Sequence, residues 1–313
     1  MKSLSNRIRS LITLLSIPIL AVSLGCPPID AAALTNRQQA TLPVALPSSA
    51  EAPKELVSFA ELTVQQLLEQ EPFQGWGNAQ LQFFPLGPGT HSWLVTLSSD
   101  QKNNGYLILA AKEDGGYILS EYGAGEYMPY QLSQLHQALQ LTGSPQVEAL
   151  YAPLLPVWKI TYKGQAPVYI HAITMEELPF IEEEWEELSG SLQAHPAGVT
   201  TDMKSPTKIT SRINSSIESD PYTNLTWITR PQLNKTNPKQ MITYMKQNKS
   251  LVFTAPNRNA AYAAPFVITG FQDWSASSPT DTSSVYAATG QDGGRFLPFS
   301  MLIEQGELRL LTK

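Results

Sequence analysis

Residues 105–111 read GYLILAA and residues 117–123 read YILSEYG. Both runs are apolar and rich in strand-forming side chains. Asp114-Gly115-Gly116 lies between them and supplies turn chemistry that tolerates positive φ, so the pair predicts a hairpin. Towards the N-terminus, HSWLVTL (91–97) and LQFF (81–84) add two more strand signals, set off by Gly87-Pro88-Gly89 and Asn103-Asn104-Gly105. Four such runs in succession predict an antiparallel meander. Ahead of it, Ser58 and Glu61 have capping-box spacing and open a helix with Phe59, Leu62, Leu67 and Leu68 on one stripe, ended by Glu71-Pro72. Beyond it, Leu132, Leu135 and Leu139 mark a second helix. Val157–Tyr162 and Val168–Ala172 then form a closing hairpin across Lys163-Gly164-Gln165. The predicted order is α-β-β-β-β-α-β-β, an α+β domain over 56–195.

The pairing of GYLILAA with a strand ending in Glu121-Tyr122-Gly123 resembles the propeptide-type domain that precedes the catalytic domain of secreted bacterial cysteine peptidases. The closing segment, PVWKI (156–160) followed by VYIHAITMEELP (168–179), is similar to the last hairpin of PepSY-type propeptide domains. His171 stands where that family usually has Asp, and Met175 where it usually has Gly, so its tight turn must be built differently here. The resemblance implies a fold and a docking role and carries no catalytic residue.

Residues 176–187, EELPFIEEEWEE, hold seven glutamates. Ile181, Trp185, Leu188 and Leu192 fall on one face of a predicted helix, leaving the acids as a solvated face. They lack the Gly and Asp spacing of a calcium loop. Residues 196–237 are dominated by Ser, Thr, Asn and Pro and read as a linker or lead-in, with first tryptic cleavage expected near Lys204, Lys208 or Arg212. A fragment ending near Gly198 is expected to melt cooperatively by itself. From 238 a small β-rich α+β domain follows. Asn237-Pro238 caps a helix bearing Met241, Tyr244 and Met245, and strand runs begin at Leu251, Phe266, Val285 and Phe296. Residues 265–271 (PFVITGF) and 285–290 (VYAATG) resemble the β-rich half of papain-like peptidases that process bacteriocin leaders. Pro265 occupies the position of that family's histidine, and Thr289 or Gly290 that of its acid. The helix carrying the cysteine has no counterpart. The resemblance therefore implies a peptidase scaffold without peptidase chemistry.

Cys26 is the only cysteine. The rest of the sequence holds no disulfide, cysteine nucleophile or thiolate metal site. Residues 1–10 carry Lys2, Arg7 and Arg9 and no acid, and the apolar run Leu11–Leu24 follows. This is a secretory-signal pattern of bacterial type, and the run is shorter than the roughly 20 residues that span a bilayer. Two cleavage readings stay open. Ala31-Ala32-Ala33 suits signal peptidase and makes 1–33 the signal. Ser23-Leu24-Gly25-Cys26 resembles a lipobox, with cleavage before Cys26 and lipidation of its thiol, although Leu is usual at Ser23. Residues 34–55 have no amphipathic period and are expected to be a flexible tether. An extracellular or cell-envelope location follows from either reading, with membrane contact only through a lipid anchor.

Twenty-seven acids against 21 bases leave no basic stripe for nucleic acid. The four histidines, His91, His136, His171 and His195, have no metal-ligand spacing, and no G-x-S-x-G elbow or phosphate-cradling glycine loop is present. Glu121 and Glu126 are the carboxylate pair to weigh for glycoside chemistry. No catalytic, metal or cofactor residue is assigned. Trp76, Trp93, Phe271 and Trp274 are the candidates for an aromatic binding surface, with Trp76 and Trp274 the least core-like in their surroundings. The expected function is an exported non-catalytic module that binds a peptide, a peptidase or an envelope partner. The alternatives are a secreted hydrolase with a non-cysteine mechanism and a structural envelope protein without a small ligand.

Overall fold

The computed structural model describes residues 51–87, 91–100, 102–126, 128–139, 144–193, 198–199, 207–214, 220–233, 237–276, 284–290 and 294–311. The signal at 1–33, Cys26, nearly all of the tether and His195 lie outside these. The meander runs as four antiparallel strands, β1 (Gln80–Leu86), β2 (Ser92–Ser99), β3 (Lys102–Ala111) and β4 (Tyr117–Ala124). Helix α1 (Lys54–Leu67) precedes it and α2 (Leu132–Leu139) follows. α1 starts four residues ahead of the capping box that Ser58 suggests, with Pro53 at its N-cap, so Lys54 and Glu55 leave the tether. Packing sets that start. Leu56, Phe59, Ala60, Thr63, Val64 and Leu67 are all buried at i, i+3, i+4, i+7, i+8 and i+11.

The closing hairpin has twice the expected strands: β5 (Gln146–Ala152), β6 (Leu155–Thr161), β7 (Val168–His171) and β8 (Glu177–Leu178) form their own antiparallel sheet. The sequence hides β5 because its turn into β6 uses no glycine; Leu154 takes positive φ instead. Helix α3 (Glu182–Gln193) buries Trp185, Leu188 and Leu192, as its spacing predicts. Ile181 departs from that prediction: it precedes the helix, exposed, with its backbone N–H donating to Glu184 Oε2 at 3.1 Å.

The stretch read as a linker contains β9 (Thr207–Ile213) and a 3₁₀ turn at Leu225–Thr229. Helix α4 (Pro238–Lys246) opens with a full capping box between Asn237 and Gln240. Strands β10 (Ser250–Thr254), β11 (Phe266–Ala276), β12 (Ser284–Thr289) and β13 (Arg295–Pro298) follow, then α5 (Phe299–Gln305) and β14 (Glu307–Leu311). These strands do not form a separate sheet. The order β1-β2-β3-β4-β13-β12-β11-β10-β14, with β9 also on β11, is one ten-stranded sheet. The boundary drawn at 196–237 is therefore corrected. β9 pairs with β11 from Gly270–Ile213 to Ala276–Thr207, and β13 pairs with β4. The described residues all fall in one compact unit. Polar composition suggested a linker, but backbone pairing, which composition does not report, fixes β9.

The fold is mixed α and β in three layers. On one face of the large sheet, α1 and a 3₁₀ turn at Phe73–Trp76 pack on Leu97, Leu107, Leu119, Tyr122, Trp274, Tyr286 and Phe296. The opposite face is covered by the small sheet and α2 through Tyr106, Ile108, Tyr151 and Trp158, and further along by α3, α4 and α5. No helix among the described residues is long and apolar enough to cross a membrane.

A fragment covering residues 55–198 lacks β13 and leaves the β4 edge open. It is expected to show no cooperative thermal transition by circular dichroism, whereas the full-length protein melts in one. A sharp fragment transition would restore the two-domain division.

Candidate functional site

A bulge in β4 creates the site. Ile108 pairs with Glu121 but its neighbour Leu109 pairs with Leu119, so Ser120 is the extra residue. Side chains alternate along a strand, and the insertion lets Leu119 and Tyr122 both enter the core under α1 while Glu121 turns to the other face. There Glu121 is 0% exposed and meets Arg295 of β13. Arg295 Nε donates to Oε1 at 2.8 Å and Nη2 to Oε2 at 3.0 Å, while the Tyr106 hydroxyl donates to Oε1 at 2.7 Å.

Gly123 makes this convergence geometrically feasible. It is the cross-strand partner of both Tyr106 and Arg295. A Cβ there would sit 2.5 Å from Tyr106 Cε1 and 2.7 Å from the Gly294 carbonyl oxygen. Burial pushes the Tyr106 hydroxyl well above its ordinary pKa, and the Glu121 charge adds to that, so it remains a donor. Burial works against the Arg295 charge, but Glu121 outweighs it and holds the guanidinium above its ordinary value.

His171 builds the neighbouring wall. Its Nδ1 accepts the backbone N–H groups of Ile173 and Thr174, both at 3.2 Å, and Met175 closes the turn at φ 60°. The imidazole thus does what the aspartate carboxylate does in an Asx turn. With Nδ1 an acceptor, the proton sits on Nε2, which is buried and has no partner among the described residues. Burial, followed by the Arg295 charge, lowers the His171 pKa to about 3.

A pocket of about 280 Å³ lies beside the pair. Tyr106, Arg295 and Gln134 of α2 supply its polar groups, and Ala124, Met128 and Ile173 its apolar ones. Its titratable groups are committed: Glu121 chelates a guanidinium and His171 nearby is held neutral with its acceptor nitrogen in use. The arrangement can donate hydrogen bonds to a ligand, and none of the described residues that line it is a carboxylate or a histidine.

The aromatic surface expected from the sequence is corrected. Trp76 and Trp274 are each 2% exposed and Phe271 1%; Trp93 is half-buried against the core under α1. Trp76 is buried because its Nε1 donates to the Asn104 carbonyl at 2.9 Å and its ring lies where a Cβ on Gly105 would be. Trp274 Nε1 donates to the Tyr122 hydroxyl at 3.0 Å, which itself donates to Gln272 Oε1 at 2.6 Å. Phe271 packs in the core shared with α3, α4 and α5. Their neighbours in the sequence made Trp76 and Trp274 look exposed, whereas their N–H groups find internal acceptors.

His91 lies just before β2, exposed at φ 47°, rather than on a strand, and His136 lies on α2. Glu126 is exposed and does not meet Glu121 as a second catalytic carboxylate. Among the described residues no group of three His, Cys, Asp or Glu could hold a metal ion. Arg295 escaped the sequence reading, although a lone Arg opening the short apolar run RFLP is a signal for a buried ion pair, and Glu121 within YILSEYG is its mirror image. Compared with protein-family models, curated proteins and solved structures, the protein matches none.

Glu121→Ala strands the Arg295 charge and is expected to cost about 3–5 kcal/mol in urea denaturation. A change under about 1 kcal/mol would mean that solvent or relaxation already satisfies Arg295. His171 adds a pH dependence. Its folded pKa of about 3 lies below the ordinary 6.5, so the unfolded state takes up this proton first as pH falls. Stability is fully present above pH 6.5 and falls as pH drops towards 3, by an amount on the order of a few kcal/mol. His171→Asn keeps an acceptor for the turn and removes this slope. Urea titrations of both proteins at pH 7 and 4.5 check it, and parallel losses would exclude His171 as the source.

Proposed function

We propose that the protein is an exported, non-catalytic binding module that receives a peptide segment in the pocket beside Arg295. One observation carries the reading: Arg295 and Tyr106 at the pocket are donors held by the buried Glu121, Gln134 adds an amide, and Glu121 and Nδ1 of His171 are already bonded. The size of the pocket, at the small end for ligand sites, suits one or two residues of a peptide rather than a folded surface.

The resemblance to propeptide-type and PepSY-type domains supports the same role, since such domains act by docking. His171 with Met175 forms the turn that follows β7, at the positions where the family uses Asp and Gly. The C-terminal strands are read as a peptidase-like half without its chemistry, with Pro265 in place of the histidine and Thr289 or Gly290 in place of the acid. Gly290 lies at the pocket, where it leaves space rather than a carboxylate. The partner is a peptide or protein outside the cytoplasm, met after export directed by residues 1–33 or through a lipid on Cys26.

Ile173→Trp fills the pocket from its turn. In a screen of short synthetic peptides, the wild-type protein is expected to retain a subset and release it unchanged by mass spectrometry. The variant is expected to retain none, with its melting temperature within a few degrees of wild type. Cleaved peptides, or retention indifferent to the substitution, would overturn the proposal.

A further inference from the structure

The charge state of the pocket wall limits what the pocket can hold. An arginine lining a pocket normally advertises a carboxylate or phosphate, because its planar fork matches both. Here the fork is already occupied. Nε and Nη2 are bound to the two oxygens of Glu121, which is wholly buried, while the Arg295 side group is itself 14% exposed. The wall therefore carries a neutral ion pair. Nη1 makes no hydrogen bond among the described residues, so Arg295, which lines the pocket, keeps N–H donors to spare on a group whose charge is offset by Glu121.

An anion arriving at Nη1 would meet an attraction from Arg295 that is reduced by the Glu121 charge on the opposite edge of the guanidinium, in a setting where water screens poorly. It would also have to lose its own hydration, which the cancelled charge does not repay. A neutral carbonyl oxygen loses far less on entering and still gains the hydrogen bond. Gln134, half-buried on the same pocket wall with no side-chain partner among the described residues, offers both a donor and an acceptor. A carbonyl on Nη1 and an N–H on the Gln134 oxygen together describe an amide. Met128, Ile173 and Ala124 give an apolar side group its contact.

We infer that the pocket selects a neutral amide, an internal peptide unit with an apolar side group, and discriminates against a terminal carboxylate or any other anion. This rests on the pocket being the binding site proposed above, and it adds the ligand's charge. Glu121 is then a positioning and selectivity residue that acts through Arg295.

The test uses two probes that differ only at one terminal group, a neutral carboxamide in N-acetyl-leucine amide and a carboxylate in N-acetyl-leucine, titrated into the protein at pH 7 while NMR shifts are followed. The amide is expected to bind at least about tenfold more tightly than the acid. Glu121→Gln removes the cancelling charge and is expected to reverse the order. Gln134→Ala, on a half-exposed position that does not threaten folding, is expected to weaken the amide about tenfold and leave the acid unchanged. Equal or tighter binding of the acid to the wild-type protein would overturn the inference while leaving the pocket as a ligand site. An amide affinity untouched by Gln134→Ala would overturn the amide assignment. Binding of neither probe would overturn both this inference and the pocket reading beneath it.

Discussion

The short pairing of β4 with β13 holds the large sheet together. Only two register pairs are made there, Gly123–Arg295 and Tyr122–Phe296, yet each side of the junction is clamped differently. On the α1 side, Tyr122 and Phe296 stack at 4.8 Å with an interplanar angle of 2°. On the other side, Glu121 and Arg295 make their two-point contact. Aromatic stacking adds about 0.5–1.5 kcal/mol beyond area burial, whereas a broken buried ion pair costs several times that. The ionic side thus sets the register, and the aromatic side fills the space beneath it. A buried pair of this kind is poor evidence for stability in itself, because desolvation offsets most of its attraction. Its contribution lies in admitting one alignment of the two strands.

The layers above and below the sheet follow from that junction. The aromatic cluster under α1 contains a run of polar contacts, from Trp274 through Tyr122 to Gln272, and a separate one from the Val199 backbone to the Tyr286 hydroxyl and on to the Leu119 carbonyl. Each joins strands from the early and late parts of the sequence, so the rings are oriented rather than merely packed. The close approaches at Gly105 and Gly123 act in the same sense. A side group at either would drive the sheet away from Trp76 or Tyr106. Exposed apolar residues, among them Tyr222, Leu225 and Ile228, gather near the 3₁₀ turn that packs against β14, away from this junction.

The elements were legible in the sequence where local chemistry decides them. The meander was marked by glycine-rich turns and alternating apolar runs, and α4 by Asn237-Pro238. β5 was not legible, since a turn through Leu154 leaves no residue-type signature. Nor was β9, whose polar residues form a strand only because β11 is there to pair with. The candidate site was half visible. Glu121 drew notice as a carboxylate, but a one-residue bulge decides which face it joins, and a strand pattern read at period two cannot show that. Arg295 becomes meaningful only once β13 lies beside β4. Trp76 and Trp274 misled for the opposite reason: glycine, aspartate and serine beside them suggested exposure, while their N–H groups were satisfied internally.

Glu121 and Arg295 are 174 positions apart in the sequence, so the centre of the sheet is a long-range closure. Contacts of such sequence separation slow folding, because a long loop must be ordered before the contact rewards it. Apart from an isolated bridge between Leu119 and Val199, β13 is the partner of β4 on that edge among the described residues. A growing polypeptide therefore lacks its central seam until the residues of β13 have been made.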